Sequence, residues 1–339
     1  MLKGHQSWVF ENRPVILSTG TVVGPDEGQG PISEDFDIVH GDLTIGQKTW
    51  EKAEKALLEE AAQRALDKAG LVGGNIQFYI GGDLMNQIIS NTFAVRTLNM
   101  PFLGIFGACS TSMEGLAIAA QLVDSGAANY VMAGTCSHNC TAEKQFRYPT
   151  EYGSQKPPTA QYTVTGAGVA VLGKSGDGPV VTSATIGRVV DMGITDPFNM
   201  GAAMAPAAVD TIQTHFRELN IEPSYYDLIV TGDLATVGVN IARELFDKHQ
   251  FPIDQTTYND CGLIIYDREK QAVQSGGSGC GCSATVTYGH LLKRVKSGEL
   301  KRILVVATGA LLSPLSFQQG ESIPCIAHAV SIESGGLYA

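Results

Sequence analysis

Residues 68–84 read KAGLVGGNIQFYIGGDL, and residues 218–234 read ELNIEPSYYDLIVTGDL. The two stretches align without a gap, 218 − 68 and 234 − 84 both being 150. In each, a helical segment gives way to a short turn and then to an apolar run. Both runs end in Gly-Asp-Leu, at Gly82-Asp83-Leu84 and Gly232-Asp233-Leu234. A second block repeats further along. Gly107-Ala108-Cys109-Ser110 opens a small-residue helix predicted over 111–124, followed by Ser125-Gly126 and a strand over 130–134. Gly281-Cys282-Ser283 opens another, predicted over 284–296, followed by Ser297-Gly298 and a strand over 302–308. The two Cys-Ser pairs lie 173 residues apart (282 − 109). Each half also begins and closes on a strand-like run: 15–19 and 168–172 in the first, 180–184 and 329–332 in the second.

The strand runs are apolar on both faces rather than alternating, as in Leu228-Ile229-Val230 and Ile303-Leu304-Val305-Val306. Such strands are buried from both sides, the condition of an α/β sheet covered by helices. Short strands alternating with helices predict crossover units. The chain therefore reads as two similar α/β halves, 1–178 and 179–339, packed as one five-layer α-β-α-β-α unit. The helices after Cys109 and Cys282 carry Gly, Ala, Ser and Thr on most faces, which suits the middle layer, where two helices must approach closely.

Composition narrows the function. Of 339 residues, 44% are apolar and 17% charged, enough for a large core and incompatible with disorder. Lys plus Arg is 23 against 34 for Asp plus Glu, a net charge of −11. This excludes general nucleic-acid binding. The longest apolar run, 303–312, is about half a membrane span. The first residues show no apolar signal-peptide core, which predicts synthesis and residence on the cytoplasmic side. Seven thinly spread cysteines favour reduced thiols over a disulfide frame. No cofactor motif is found. Gly276-Gly277-Ser278-Gly279 lacks the ending of a phosphate loop. Cys136-Ser137-His138-Asn139-Cys140 and Cys280-Gly281-Cys282 lack the matched second pair of a zinc site.

Cys109 is the outstanding chemical feature. It follows an apolar run and a glycine and directly precedes a helix. A thiol at a helix start sits among free backbone N–H groups at the positive dipole end, so its pKa is expected to fall and its nucleophilicity to rise. The amides at Cys109 and Ser110 are equally suited to holding a carboxylate.

The duplicated halves and the Gly107-Ala108-Cys109-Ser110 elbow resemble the thiolase superfamily of thiolases and β-ketoacyl synthases. A closer resemblance, to the stage V sporulation protein AD family, rests on several stretches. They are Gly107-Ala108-Cys109-Ser110-Thr111-Ser112-Met113-Glu114, Gln145-Phe146-Arg147-Tyr148-Pro149-Thr150-Glu151-Tyr152-Gly153 and Ala307-Thr308-Gly309-Ala310-Leu311-Leu312-Ser313-Pro314. Residues 201–208, Asn259-Asp260-Cys261-Gly262 and Ser322-Ile323-Pro324-Cys325-Ile326-Ala327-His328 extend it from end to end. The resemblance implies a thiolase-like fold and binding of dipicolinic acid for its movement into the forming endospore. It also implies a dimer that works beside membrane proteins of the same sporulation channel, peripheral on the forespore or spore inner membrane.

The superfamily's condensing enzymes pair the cysteine with a histidine and with a second His, Asn or Cys, which move protons and stabilise an oxyanion. In the first of those slots this sequence has Asp233, and in the second Ser278. The resemblance therefore implies a pocket retained and catalysis lost, with Cys109 a relict nucleophile. The alternative is an active acyl-transferase or condensing enzyme with Cys109 as nucleophile and His328, the one histidine expected near a pocket element, as its base. His215 and His249 are expected on helix surfaces.

Dipicolinate is a flat aromatic dianion often carried with calcium. Its recognition calls for donors for the carboxylates and an apolar slot for the ring. The candidates are Cys109 and Ser110 at the helix start, Met113 one turn on, Ser278, His328, and Arg147 between Phe146 and Tyr148. Asp83 and Asp233, at equivalent places in the two halves, are candidates to hold Ca²⁺ between them. The alternative for both is a turn- or helix-capping role. The insertion 143–159 reads as a pocket lid or a dimer arm.

Overall fold

The structure, a computed structural model, describes residues 1–146, 156–254 and 256–337. The first half runs β1 (Val15–Val23), α1 (Trp50–Ala69), β2 (Phe78–Asp83), α2 (Ile89–Leu98), β3 (Phe102–Gly104), α3 (Thr111–Asp124), β4 (Tyr130–Ser137), α4 (Asn139–Phe146) and β5 (Gly166–Gly173). The second runs β6 (Val180–Ile186), α5 (Met200–Leu219), β7 (Leu228–Thr231), α6 (Ala235–Lys248), β8 (Tyr258–Asp260), α7 (Cys280–Thr285), β9 (Arg302–Ala310) and β10 (Cys325–Glu333).

The duplication is complete at the level of topology. One half orders its strands β3-β2-β4-β5-β1 and the other β8-β7-β9-β10-β6. In each the first three strands are parallel and the last two antiparallel to their neighbours. The sheets meet where Val15 pairs with Val180, so the chain crosses from one half to the other between β5 and β6. The aligned stretches fold alike. Helices α1 and α5 end at Ala69 and Leu219, 3-10 turns follow at Gly73–Asn75 and Pro223–Tyr225, and β2 and β7 begin at Phe78 and Leu228.

Helices α3 and α7 touch each other and both sheets, while α1 and α2 cover one outer face and α5 and α6 the other. This is the expected five-layer stack. Small residues put α3 and α7 in the middle: a side chain at Gly168 on β5 would lie 2.8 Å from Ala284 of α7. The second central helix ends at the expected Lys296 but departs from expectation at its start and in its middle. It starts at Cys280, four residues before 284, and passes through a π-helical turn at Val286–Leu291 before ending at Lys296.

One segment crosses the boundary between halves. Ser7–Val9 pairs with β6, and Glu218 of α5 accepts from His5 N, Gln6 N and the Ser7 hydroxyl. The N-terminal hairpin thus packs on the second half, because β6 would otherwise leave an open edge there.

Candidate functional site

The Cys109 elbow is a 3-10 turn, Ala108–Ser110, leading into α3. Ala108 takes the left-handed region at φ 50°. For a residue with a Cβ this conformation costs roughly 1 kcal/mol and is kept only where the surroundings enforce it. They do so here through β9. A Cβ on Gly309 would lie 2.2 Å from the Gly107 carbonyl and 3.0 Å from Ser110 N, so β9 can press against the turn only as glycine.

The turn delivers Cys109 to a narrow cleft with about 700 Å³ of empty space out to its mouth. Its walls are apolar, chiefly Leu84, Phe106, Phe146, Phe198, Met200 and Leu312, and its polar atoms come from Gln161, Thr163, Ser278, Glu143 and the thiol. Ser278 arrives on a short parallel pairing of Gly277–Ser278 with Tyr162–Thr163, which brings the loop before α7 to the cleft.

Asp233 lies beneath, almost fully buried. The Thr308 hydroxyl donates to it at 2.6 Å, Gly279 N at 2.9 Å and the Ser278 hydroxyl at 3.3 Å, and the Cys109 thiol also hydrogen-bonds it. Burial raises its pKa despite these donors. The thiol responds in the opposite direction to the expectation drawn from its helix position. Burial first, then the Asp233 carboxylate, push Cys109 well above an ordinary thiol. A helix-start amide cannot offset the loss of water and a facing negative charge.

Other candidates are dispersed. Ser110 turns inward, its hydroxyl donating to Gly107 O at 2.7 Å, and does not line the cleft. Met113 is fully buried in the main core rather than in the slot, because α3 is covered on both sides. His328 sits on β10, away from the cleft lining, where its Nδ1 accepts from Gly187 N at 3.3 Å and burial lowers its pKa to about 4. Arg147 lies outside the described residues. His215, expected on a surface, is buried between the Thr185 and Tyr226 hydroxyls, and burial lowers its pKa to about 3.

Asp83 and Asp233 occupy equivalent corners but separate hydrogen-bond networks. Asp83 accepts from Met85 N at 2.9 Å, Asn91 N at 2.7 Å and Asn91 Nδ2 at 3.1 Å. Each carboxylate accepts from its own set of local neutral donors. They do not fit a single calcium ion held between them, which would need six to eight oxygens directed at one point. The turn-capping alternative describes Asp83.

Two residues of the site escaped the sequence reading. Gln161 donates from Nε2 to the Asp233 carbonyl at 2.5 Å and lines the cleft. Asp260 caps α6, accepting from Leu234 N at 2.8 Å and Ala235 N at 3.0 Å, and burial raises its pKa to about 7. Its signal in the sequence was the Asn259-Asp260-Cys261-Gly262 stretch of the family resemblance.

The comparisons agree with this geometry. The family model for stage V sporulation protein AD matches residues 4–333. The chain belongs to the stage V sporulation protein AD family. The family member from Bacillus subtilis (strain 168) is 51% identical over 335 residues, covering 99% of this chain and 98% of that protein. Among solved structures, 3-oxoacyl-[acyl-carrier-protein] synthase III from Aquifex aeolicus VF5 aligns with a TM-score of 0.60 at 16% identity, over 94% of this chain and 99% of its own. Cerulenin-bound OleA from Xanthomonas campestris aligns with a TM-score of 0.60 at 16% identity, over 96% and 97%. These two likenesses establish the thiolase-like fold of this family member and nothing of its chemistry.

Proposed function

We propose that this chain is a non-catalytic binding protein that takes dipicolinic acid, free or as its calcium chelate, for uptake into the developing endospore. One observation carries the reading: the thiol is presented at a strained elbow over a slot, but the two groups expected to be bases are Asp233 and Ser278, and the thiol is held away from its thiolate form. A neutral thiol facing an acid is a poor nucleophile, and losing a proton-transfer group costs roughly 10²–10⁴-fold in rate. The aromatic and aliphatic walls suit a flat ring, and the resemblance of the chain supplies the ligand's identity.

A dianion entering this slot meets Asp233 and Glu143. In this reading its charge is compensated by calcium carried in the chelate or by the basic stretch Lys144, Arg147 and Lys156. Lys156 reaches the cleft wall, 2.8 Å from Glu143. Among the described residues no helix is long and apolar enough to cross a membrane. Transport therefore falls to membrane-protein partners of the same channel, with this chain a peripheral homodimer beside them on the spore inner membrane. Titration calorimetry with dipicolinate, with and without Ca²⁺, should give saturable binding that Cys109→Trp, which fills the slot, removes. Absence of binding by the wild-type chain in both conditions sinks the proposal.

The Ala108 elbow favours a second reading, acyl transfer through Cys109. His328 does not reach the cleft lining, so Asp233 would have to receive the thiol proton. Intact-mass measurement after incubation with an acyl-CoA decides it: stoichiometric acylation with turnover supports the enzyme, and an unmodified chain supports the binding protein.

A further inference from the structure

The alignment of the halves isolates a difference buried in the first of them. Helices α1 (Trp50–Ala69) and α5 (Met200–Leu219) are offset by 150 at both ends, so Glu54 stands where the second half has Met204. Cys136 pairs with Asp83 across the β2–β4 ladder. The β7–β9 ladder pairs Thr231 with Val306, which carries Asp233 opposite Thr308. The second half thus builds the same corner from one acid, a threonine and a methionine. The fold requires neither the glutamate nor the cysteine that the first half places there.

Glu54, Asp83 and Cys136 are all buried, and one carboxylate oxygen from each acid and the Cys136 Sγ lie within 4.8 Å of one another. The groups that reach them are neutral donors: Thr141 Oγ1 to Glu54 at 2.5 Å, the Cys136 thiol to Glu54 at 3.8 Å, and Asn91 Nδ2 to Cys136 at 3.6 Å and to Asp83. Ser90 forms another wall, its N–H turned to Asp83 and its hydroxyl facing Glu54. That hydroxyl, on a residue 2% exposed, makes no hydrogen bond of good geometry. Two acids, a thiol and an orphaned hydroxyl around one buried point form a costly arrangement unless a cation or protons fill it.

We propose that Glu54, Asp83 and Cys136 hold one thiophilic divalent cation of the zinc class, with the Ser90 hydroxyl in the fourth position. Mixed sulfur and oxygen ligands in a closed four-coordinate cage suit zinc; calcium and magnesium take oxygen alone. Binding releases the Cys136 thiol proton, and any proton shared by the two carboxylates, to solvent. The ligands are buried in the folded chain, so the ion is captured as the chain folds. It joins α1, β2, α2 and β4 directly behind the cleft, whose wall includes Leu84, next to Asp83, and Ala142, next to Thr141.

The test is metal analysis of the full chain, produced with zinc and also refolded with cobalt. The expected result is about one zinc per chain surviving dialysis against a weak chelator. The cobalt form should show a near-ultraviolet sulfur-to-cobalt charge-transfer band that Cys136→Ser abolishes and Cys109→Ser keeps. Substoichiometric zinc with no such band in the wild-type chain overturns the proposal, whether or not the variants fold. So does a band that disappears in Cys109→Ser and persists in Cys136→Ser.

Discussion

The two Cys-Ser pairs of the repeat open the two central helices, yet they face different surroundings. Cys109 stands on a left-handed elbow and looks into the cleft. Cys282 is the third residue of its helix, fully buried, its thiol directed at the Gly232 carbonyl at 3.5 Å. The sheet edges diverge in the same way. At the equivalent register position the first half's edge strand exposes the apolar Leu103, 43% exposed, and the second's exposes the polar Asn259. Duplication supplied one scaffold twice. The first half then carries the thiol and an apolar exposed edge, and the second supplies the acid and the loop that close over the thiol.

The largest break in this comparison should come at the contact between β9 and the elbow. Gly309→Val drives a side chain into the Gly107 carbonyl and should cost about 3 kcal/mol or more, or prevent folding. The equivalent place in the first half is Ser137, whose hydroxyl donates to Val164 O at 2.7 Å. Ser137→Ala should cost only about 1 kcal/mol. Thermal melts of both variants check the asymmetry, and equal losses would contradict it.

At the edges, light scattering should find a dimer that Leu103→Asp converts to a monomer, while Asn259→Asp on the other edge leaves the mass unchanged. A wild-type monomer would remove the first half's edge from the argument.

For the thiols, Asp233→Asn removes the charge that raises Cys109 and should speed its alkylation several-fold at fixed pH, with Cys282 unreactive throughout. An unchanged rate would assign the raised thiol to burial alone.

The smallest effect concerns pH. Burial raises Glu27, in the first half, from 4.5 to about 7, although the Tyr266 hydroxyl and Thr165 N donate to it. A folded-state acid that holds its proton more tightly than the unfolded chain favours folding at low pH. That contribution is present below pH 4.5 and is lost as pH rises to about 7. Urea midpoints for Glu27→Gln should therefore fall less between pH 5 and pH 7.5 than those of the wild type; parallel midpoints would refute this.

Much of the fold was legible because the repeat is carried by local signals. The Gly-Asp-Leu corners, the doubly apolar strands and the small-residue helices each follow from short-range chemistry, and their order dictates the crossover topology. The cleft was legible at Cys109 and Ser278, which sit beside glycine turns that mark backbone approach. It was not legible at Gln161 or Asp260, whose roles depend on partners about 70 and 25 residues away. Nor was Met113 distinguishable from a lining residue, since helical spacing does not say which side of a middle-layer helix is covered.

The sequence by itself determined the duplicated α/β architecture, the family and the position of the thiol, because periodicity and turn chemistry are properties of neighbouring residues. Only the tertiary structure decided that the thiol is neutral rather than activated, that Asp83 and Asp233 serve separate networks, and that Glu54 and Cys136 join Asp83 in the core. Charge state and ligand geometry depend on what is buried beside what, and burial is set by the packing of layers that the chain brings together from distant places.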